Sequence, residues 1–322
     1  MKHRVAVVAS DQSYLEALKK AFQLLNFDPE RWVGKSVCLA PSLQIRKAES
    51  GETTSSLLVE ALIEILQDYG ARSIVVLQSD DGESSAEVKY RRLGYDQMAS
   101  RGGVRLANLT REKKYPVKIE GEFFRSIEVP EVMMASDLLV TVSPLKIDRS
   151  TVISCALKNQ LSLVGELGLE SRLEDKLEFA PEALCDSYTL YKTGLVVADA
   201  SHIRTGKHQV VEKKGLLLVG VDSWAVDAAS CSLFGIDRKS VPYLRHIQTH
   251  KGPFGLEIVG ENPNDYVVEI PIISSLLPGA SQRISEDLYK KTLSVAESYR
   301  RKIVPLSRKI DRRIRRLRGK YR

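Results

Sequence analysis

Short apolar runs alternate along the chain with stretches whose apolar positions recur every three or four residues. Runs of the first kind read as buried strands and stretches of the second kind as amphipathic helices. Val5-Ala6-Val7-Val8-Ala9 predicts a first strand. Leu15, Leu18, Phe22 and Leu25 then predict a helix over 14–25. A second strand is expected at 36–39, stopped by Pro41. Thr53 or Thr54 is placed to cap a helix running through Asp68, and Gly70 is placed to end it. Residues 73–77 form a third apolar run, and 90–99 read as a helix.

The stretch 104–129 has a different texture. Val117, Ile119 and Phe123-Phe124 suggest a β hairpin inserted on the sheet. A further strand is expected at 137–142, ended by Ser143-Pro144-Leu145-Lys146. Ser150 or Thr151 is placed to cap a helix reaching about Leu163. Strands at 195–198 and 216–219 flank a long loop, 199–214. Helices near 225–233 and 241–249 follow, with a last strand at 256–259. Short buried strands separated by helices give an α/β fold with a mostly parallel sheet flanked by helices.

Composition narrows the class without naming a reaction. The chain has 322 residues, 43% hydrophobic and 28% charged, as expected of a globular protein with a proper core. No apolar run approaches a membrane span, and the first apolar run is too short for a secretory signal, so the expected compartment is the cytoplasm. Cys38, Cys155, Cys185 and Cys231 lie far apart. That spacing excludes a ferredoxin-type cluster or zinc ribbon built from neighbouring cysteines, and reads as small core residues.

The net charge of +7 conceals a division. Residues 300–322 hold 12 Lys/Arg and one acid, Asp311, whereas residues 1–299 hold 36 bases against 40 acids. The expected organisation is therefore an α/β body, 1–299, as one unit or two subdomains split near 145–195, and a basic tail, 300–322. In the tail Ile303, Leu306, Ile310, Ile314 and Leu317 form an apolar stripe. Arg308, Lys309, Arg312, Arg313, Arg315 and Arg316 occupy the rest. A C-terminal basic amphipathic helix of this kind suits RNA phosphates or an anionic membrane surface. It also suits docking on the mildly acidic body.

Several polar residues fall at strand ends, where open sheets place ligands. Asp222 follows an apolar run and Gly220, at a helix N-cap position; Asp227 lies inside that helix among small residues. Asp222 is explained by capping alone. If Asp227 faces the cleft, the two acids can hold a divalent cation or position a substrate group. Lys146 and Asp148 follow another strand, with Lys158 and Asn159 on the next helix. Together they suit an anionic ligand, and a lysine of depressed pKa can act as base or nucleophile. Asp199 and His202 follow the next strand. The candidate catalytic set is Lys146, Lys158 and Asp227; the candidate ligand set is Asp148, Asn159, Asp199, His202 and Asp222. His246 and His250 are four apart on a helix but lack a following Glu, and read as a solvated face. Asp80, Asp81 and Glu83 read as a solvated loop. No phosphate-binding Gly-rich loop or nucleophile elbow is present.

Taken in order, these pieces resemble the family catalogued as domain of unknown function 362. The similar positions run from about Ser36 to Gly260. They include Pro41 after the second strand, Gly94-Tyr95, Lys146 with Ala156-Leu157-Lys158-Asn159, Asp199, and Gly220-x-Asp222-x-x-Ala225-x-Asp227-Ala228. Members often carry ferredoxin-type iron–sulfur modules, so the resemblance implies redox biochemistry, and a redox partner, for those members. This chain lacks the cysteine pairs. Ala40-Pro41-Ser42 also replaces the usual Lys-Pro-Asn, which removes one expected polar contact. The layout is similar, at the level of fold alone, to the lactate racemase family that binds a nickel pincer cofactor.

Overall fold

The computed structural model describes residues 2–100, 102–148, 151–163, 181–191, 193–205 and 210–268. These lie within one compact unit, Met1–Pro271. The basic tail, with Arg308, Lys309, Arg312, Arg313, Arg315 and Arg316, falls outside the described residues.

In chain order the strands are β1 (Lys2–Ala9), β2 (Ser36–Pro41), β3 (Ser73–Gln78), β4 (Val104–Asn108), β5 (Lys114–Lys118), β6 (Ser126–Pro130), β7 (Leu138–Asp148), β8 (Val152–Ser154), β9 (Thr193–Thr205), β10 (Val210–Gly220) and β11 (Gly255–Gly260). The helices are α1 (Tyr14–Leu25), α2 (Ser56–Asp68), α3 (Ala86–Arg92), α4 (Tyr95–Ser100), α5 (Glu131–Met134), α6 (Ala156–Leu161), α7 (Pro181–Leu190), α8 (Ser223–Ser230) and α9 (Pro242–Lys251). The main sheet runs β11-β1-β10-β9-β7-β2-β3-β4, with β8 added to the end of β7. Strands β9, β7, β2, β3 and β4 are mutually parallel; β10 is antiparallel to both its neighbours. The sheet is therefore mixed and mostly parallel, and β5–β6 form the separate inserted hairpin.

Both faces of the sheet are buried, and the period-two geometry of a strand sorts its residues between them. On β2, Val37 and Leu39 join the large core under α1 and α2; Cys38 and Ala40 join a smaller one on the opposite face. On β7, Val140 and Val142 face the first core, while Thr141 on the other face accepts a bond from Asn159 of α6. Helices α6, α7, α8 and α9 pack on one another. All four cysteines are buried and free. Among the described residues no helix is long and apolar enough to cross a membrane.

Several expected boundaries move, each for a local reason. Residues 104–108 are the sheet's edge strand, and only 114–130 form the hairpin. The helix expected over 90–99 breaks at Gly94, whose φ is +83°. Thr53 and Thr54 do not cap α2. Their hydroxyls accept from the amides of Gln44 and Ser42, tying down the loop after β2. Strand β7 runs past Pro144 to Asp148, with its pairing to β9 shifted between Pro144 and Lys146. Residues 152–154 return beside it as β8, so the next helix starts only at Ala156. The expected loop at 199–214 is mostly the paired arms of β9 and β10.

Candidate functional site

Chain order reverses between β2 and β7. From β2 the chain steps through β3 to β4 on one side, then returns to β7 and continues to β9 on the other. The carboxyl ends of parallel strands at such a reversal form a crevice where open α/β sheets bind ligands. At that end of the sheet stand Pro41 of β2, Ser143 to Asp148 of β7 and Asp199 to Arg204 of β9.

Lys146 sits at the end of β7, in register with Ser154 of β8 and Arg204 of β9. It is half-buried and makes no hydrogen bond or ion pair with a described residue. Its pKa is lowered first by burial and then by the Lys158 ammonium, with Asp148 acting in the opposite sense. Lys158 of α6 reaches back to Asp148, Nζ to Oδ2 2.7 Å. The other Asp148 oxygen accepts from the amide and hydroxyl of Thr151, at 3.1 and 3.2 Å. The fold thus gathers Lys146, Asp148 and Lys158 at one place. The backbone is strained beside them: Val152, paired with Asp148, has φ +74°. A β-branched residue in that region is an outlier, and such strain concentrates at functional sites.

Asp199 lies on the neighbouring strand, in register with Pro144. Burial raises its pKa. The Ser201 hydroxyl and amide, His202 and the Ser55 amide at the start of α2 act in the opposite sense. Around it is a polar network that sequence patterning misses. The Tyr14 hydroxyl donates to Ser201 Oγ at 3.3 Å, and Ser10 Oγ lies 3.2 Å from the same atom. Burial, and then the Asp199 charge, raise the Tyr14 pKa. Ser10, Tyr14, Ser201, His202 and Lys213 line a cleft of about 460 Å³. A second cleft of about 780 Å³, across the first turn of α2, carries Arg46, Lys47 and Arg92. The turn beside it packs so closely on β9 that a Cβ on Gly51 (φ +65°) would lie 2.7 Å from the His202 carbonyl oxygen. His202 is therefore a residue of a paired strand, opposite Lys213, and not of a free loop.

The remaining candidates are occupied elsewhere. Asp222 is the N-cap of α8: Oδ1 accepts from the Ala225 amide at 2.8 Å and Oδ2 from the Tyr188 hydroxyl at 2.7 Å. Asp227 is fully buried. Its Oδ1 accepts from the Ala156 amide at 2.9 Å; Oδ2 accepts from the Leu157 amide at 3.3 Å and the Tyr243 hydroxyl at 2.9 Å. It caps α6 from another helix, and burial pushes its carboxyl up to about 6. Asn159 donates to the Ala40 carbonyl and to Thr141, joining α6 to β2 and β7. Asp222 and Asp227, expected as a pair round a cation, have their carboxylates turned to different helix termini, Asp222 to that of α8 and Asp227 to that of α6. Among the described residues, the ligating side chains that do converge are Glu122, His246 and His250. Asp81 lies on the exposed loop, and it pairs at 2.6 Å with Lys89, which is 2% exposed.

No curated protein matches the chain. Among solved structures it is similar to the lactate racemase apoprotein from Thermoanaerobacterium thermosaccharolyticum, at 10% identity and a TM-score of 0.46. The match covers 69% of this chain and 54% of that one. A structural-genomics protein from Thermotoga maritima is similar at 13% identity and a TM-score of 0.40, covering 70% of this chain and 60% of that one. The chain thus spans little more than half the length of these structures. The family model for the domain of unknown function DUF362 matches residues 37–232, more than half of the chain and the whole stretch from β2 to the turn after α8. The chain belongs to the DUF362 family.

Proposed function

We propose that the protein binds a small anionic ligand at the carboxyl edge of its sheet, with Lys146 as the principal anchor. One observation carries this reading: Lys146 is a half-buried ammonium with no hydrogen bond or ion pair to a described residue. A charge partly taken out of water, whose counter-charge Asp148 is already paired with Lys158, is costly unless something compensates it. A carboxylate or phosphate in the crevice does so, with Lys158 beside it and Asp148 holding Lys158 in place. The depressed pKa also enlarges the neutral-amine fraction of Lys146, which suits a base or nucleophile. Asp199 on the adjoining strand and Tyr14 of α1, whose hydroxyl donates to Ser201, both have raised pKa and are candidates for proton transfer.

The test is thermal denaturation of the full chain with inorganic phosphate and with simple mono- and dicarboxylates. At a hundredfold excess over Kd a ligand stabilises by about 2.7 kcal/mol. Wild type should respond to at least one probe and Lys146→Met should not. Lys146→Met should leave the empty fold as stable as wild type or more so, as expected when function retains a destabilising charge. A Lys146→Met response equal to wild type would falsify the assignment.

A second reading rests on the segregated charge of residues 300–322. In it the tail carries the body to RNA or an anionic membrane by counter-ion release. A chain ending at Tyr299 should then lose salt-sensitive retention on RNA and on anionic vesicles. Equal retention removes that reading.

A further inference from the structure

Glu122 lies in the loop of the inserted hairpin, and His246 and His250 lie one turn apart on α9. Each offers one ligating atom, and these atoms lie within 4.8 Å of one another. His246 Nε2 is 2.9 Å from Glu122 Oε2, and the two imidazoles are stacked with centroids 4.0 Å apart. His250 Nδ1 is 2.8 Å from the His246 carbonyl oxygen. A carbonyl only accepts, so Nδ1 carries the proton. In the neutral ring that leaves the Nε2 lone pair free to ligate.

The carboxylate is held as well. The Cys185 thiol of α7 donates to Glu122 Oε1 at 3.9 Å, leaving Oε2 to the histidines. Asp186, next in the chain, accepts the amides of Glu122, Phe123 and Phe124 at 2.8–2.9 Å. The loop is wrapped so tightly on this carboxylate that a Cβ on Gly121 would fall 2.4 Å from Asp186 Oδ2. An exposed ion pair needs no such support, since such pairs contribute at most about 1 kcal/mol. Fixing a ligand through partners behind it is what metal sites do.

We propose that Glu122, His246 and His250 form a binding site for a divalent transition metal of the zinc class, joining the inserted hairpin to α9. Two imidazoles and one carboxylate are a three-ligand set that leaves a coordination position for water or another ligand. Zinc–ligand distances of 2.0–2.2 Å in tetrahedral geometry place ligand atoms about 3.3 Å apart. The His246–Glu122 contact must therefore open by about 0.4 Å, and His250 must swing inward. His250 and Glu122 are exposed and have room for this. Nickel, cobalt and copper fit the same donors, so the donor set defines the class and not the single ion.

The test is titration of chelator-stripped full-length protein with Zn²⁺, followed by calorimetry and by thermal denaturation. One ion per chain should bind and raise Tm. His250→Ala and Glu122→Gln, both at exposed positions, should each weaken binding by about 100-fold. Cys185→Ala, which removes only the donor behind the carboxylate, should weaken it by about tenfold. Far-UV circular dichroism of each ion-free variant checks that the fold is retained. Absence of stoichiometric Zn²⁺ binding by wild type overturns the proposal, as does undiminished binding by folded His250→Ala and Glu122→Gln.

Discussion

Replacing Asp227 by alanine removes the acceptor for three buried donors: the amides of Ala156 and Leu157 and the hydroxyl of Tyr243. A buried donor left without a partner costs about 1–3 kcal/mol. The Leu157 bond is long, at 3.3 Å, and counts for least. The expected loss is about 4 kcal/mol when the wild-type carboxyl is protonated. The carboxyl itself adds a pH dependence. Burial raises it from 3.8 to about 6, so folding favours the protonated acid. That contribution is full below the unfolded value near 3.8 and is lost as pH rises through 6. It amounts to about 3 kcal/mol in all, roughly two-thirds of it between pH 4.5 and 7.5. The penalty of Asp227→Ala should therefore shrink from about 3 kcal/mol at pH 4.5 to about 1 kcal/mol at pH 7.5. Urea denaturation of both proteins at the two pH values measures this directly, because other titrating groups cancel in the difference. A penalty that grows with pH, or one below 1 kcal/mol at pH 4.5, refutes the assignment of Asp227 as the buried cap of α6.

Two further substitutions probe features near the ends of the parallel strands. Val152→Gly should stabilise the fold by about 1 kcal/mol, since relief of the +74° φ exceeds the added chain entropy; a loss of stability in urea contradicts the strain. Asp81→Asn should destabilise by about 2 kcal/mol by stranding the buried Lys89, and adding Lys89→Met should restore most of it. Burial works against the Asp81 charge, but Lys89 and two backbone amides outweigh it and hold the carboxyl below its ordinary range. The pair's contribution is thus full above that range and is lost only as pH falls through the lowered value. A double mutant no more stable than Asp81→Asn shows the pair is not the cause.

What could be read from the chain depended on the range of the interaction. Helix α1, capped by Ser13 and closed by Asn26 in the left-handed region, and the two-sided burial of β2 are written in neighbours a few residues apart. So is Asp222 at its N-cap, because a cap and its amide are three residues apart. The order of such pieces was also enough for the family. Asp227 obeys no local rule, because its acceptor role belongs to a helix that begins 71 residues earlier. The continuation of β7 past Pro144 depends on β8 and β9 pairing with it, which a turn-forming Ser-Pro does not announce. The same holds for the placing of Lys146 beside Asp148 and Lys158 and for Glu122, which meets His246 across 124 residues of sequence. Periodicity reports which face of an element is apolar. Only the packed sheet and helices decide which polar groups on those elements are left to meet, and which are left facing a ligand.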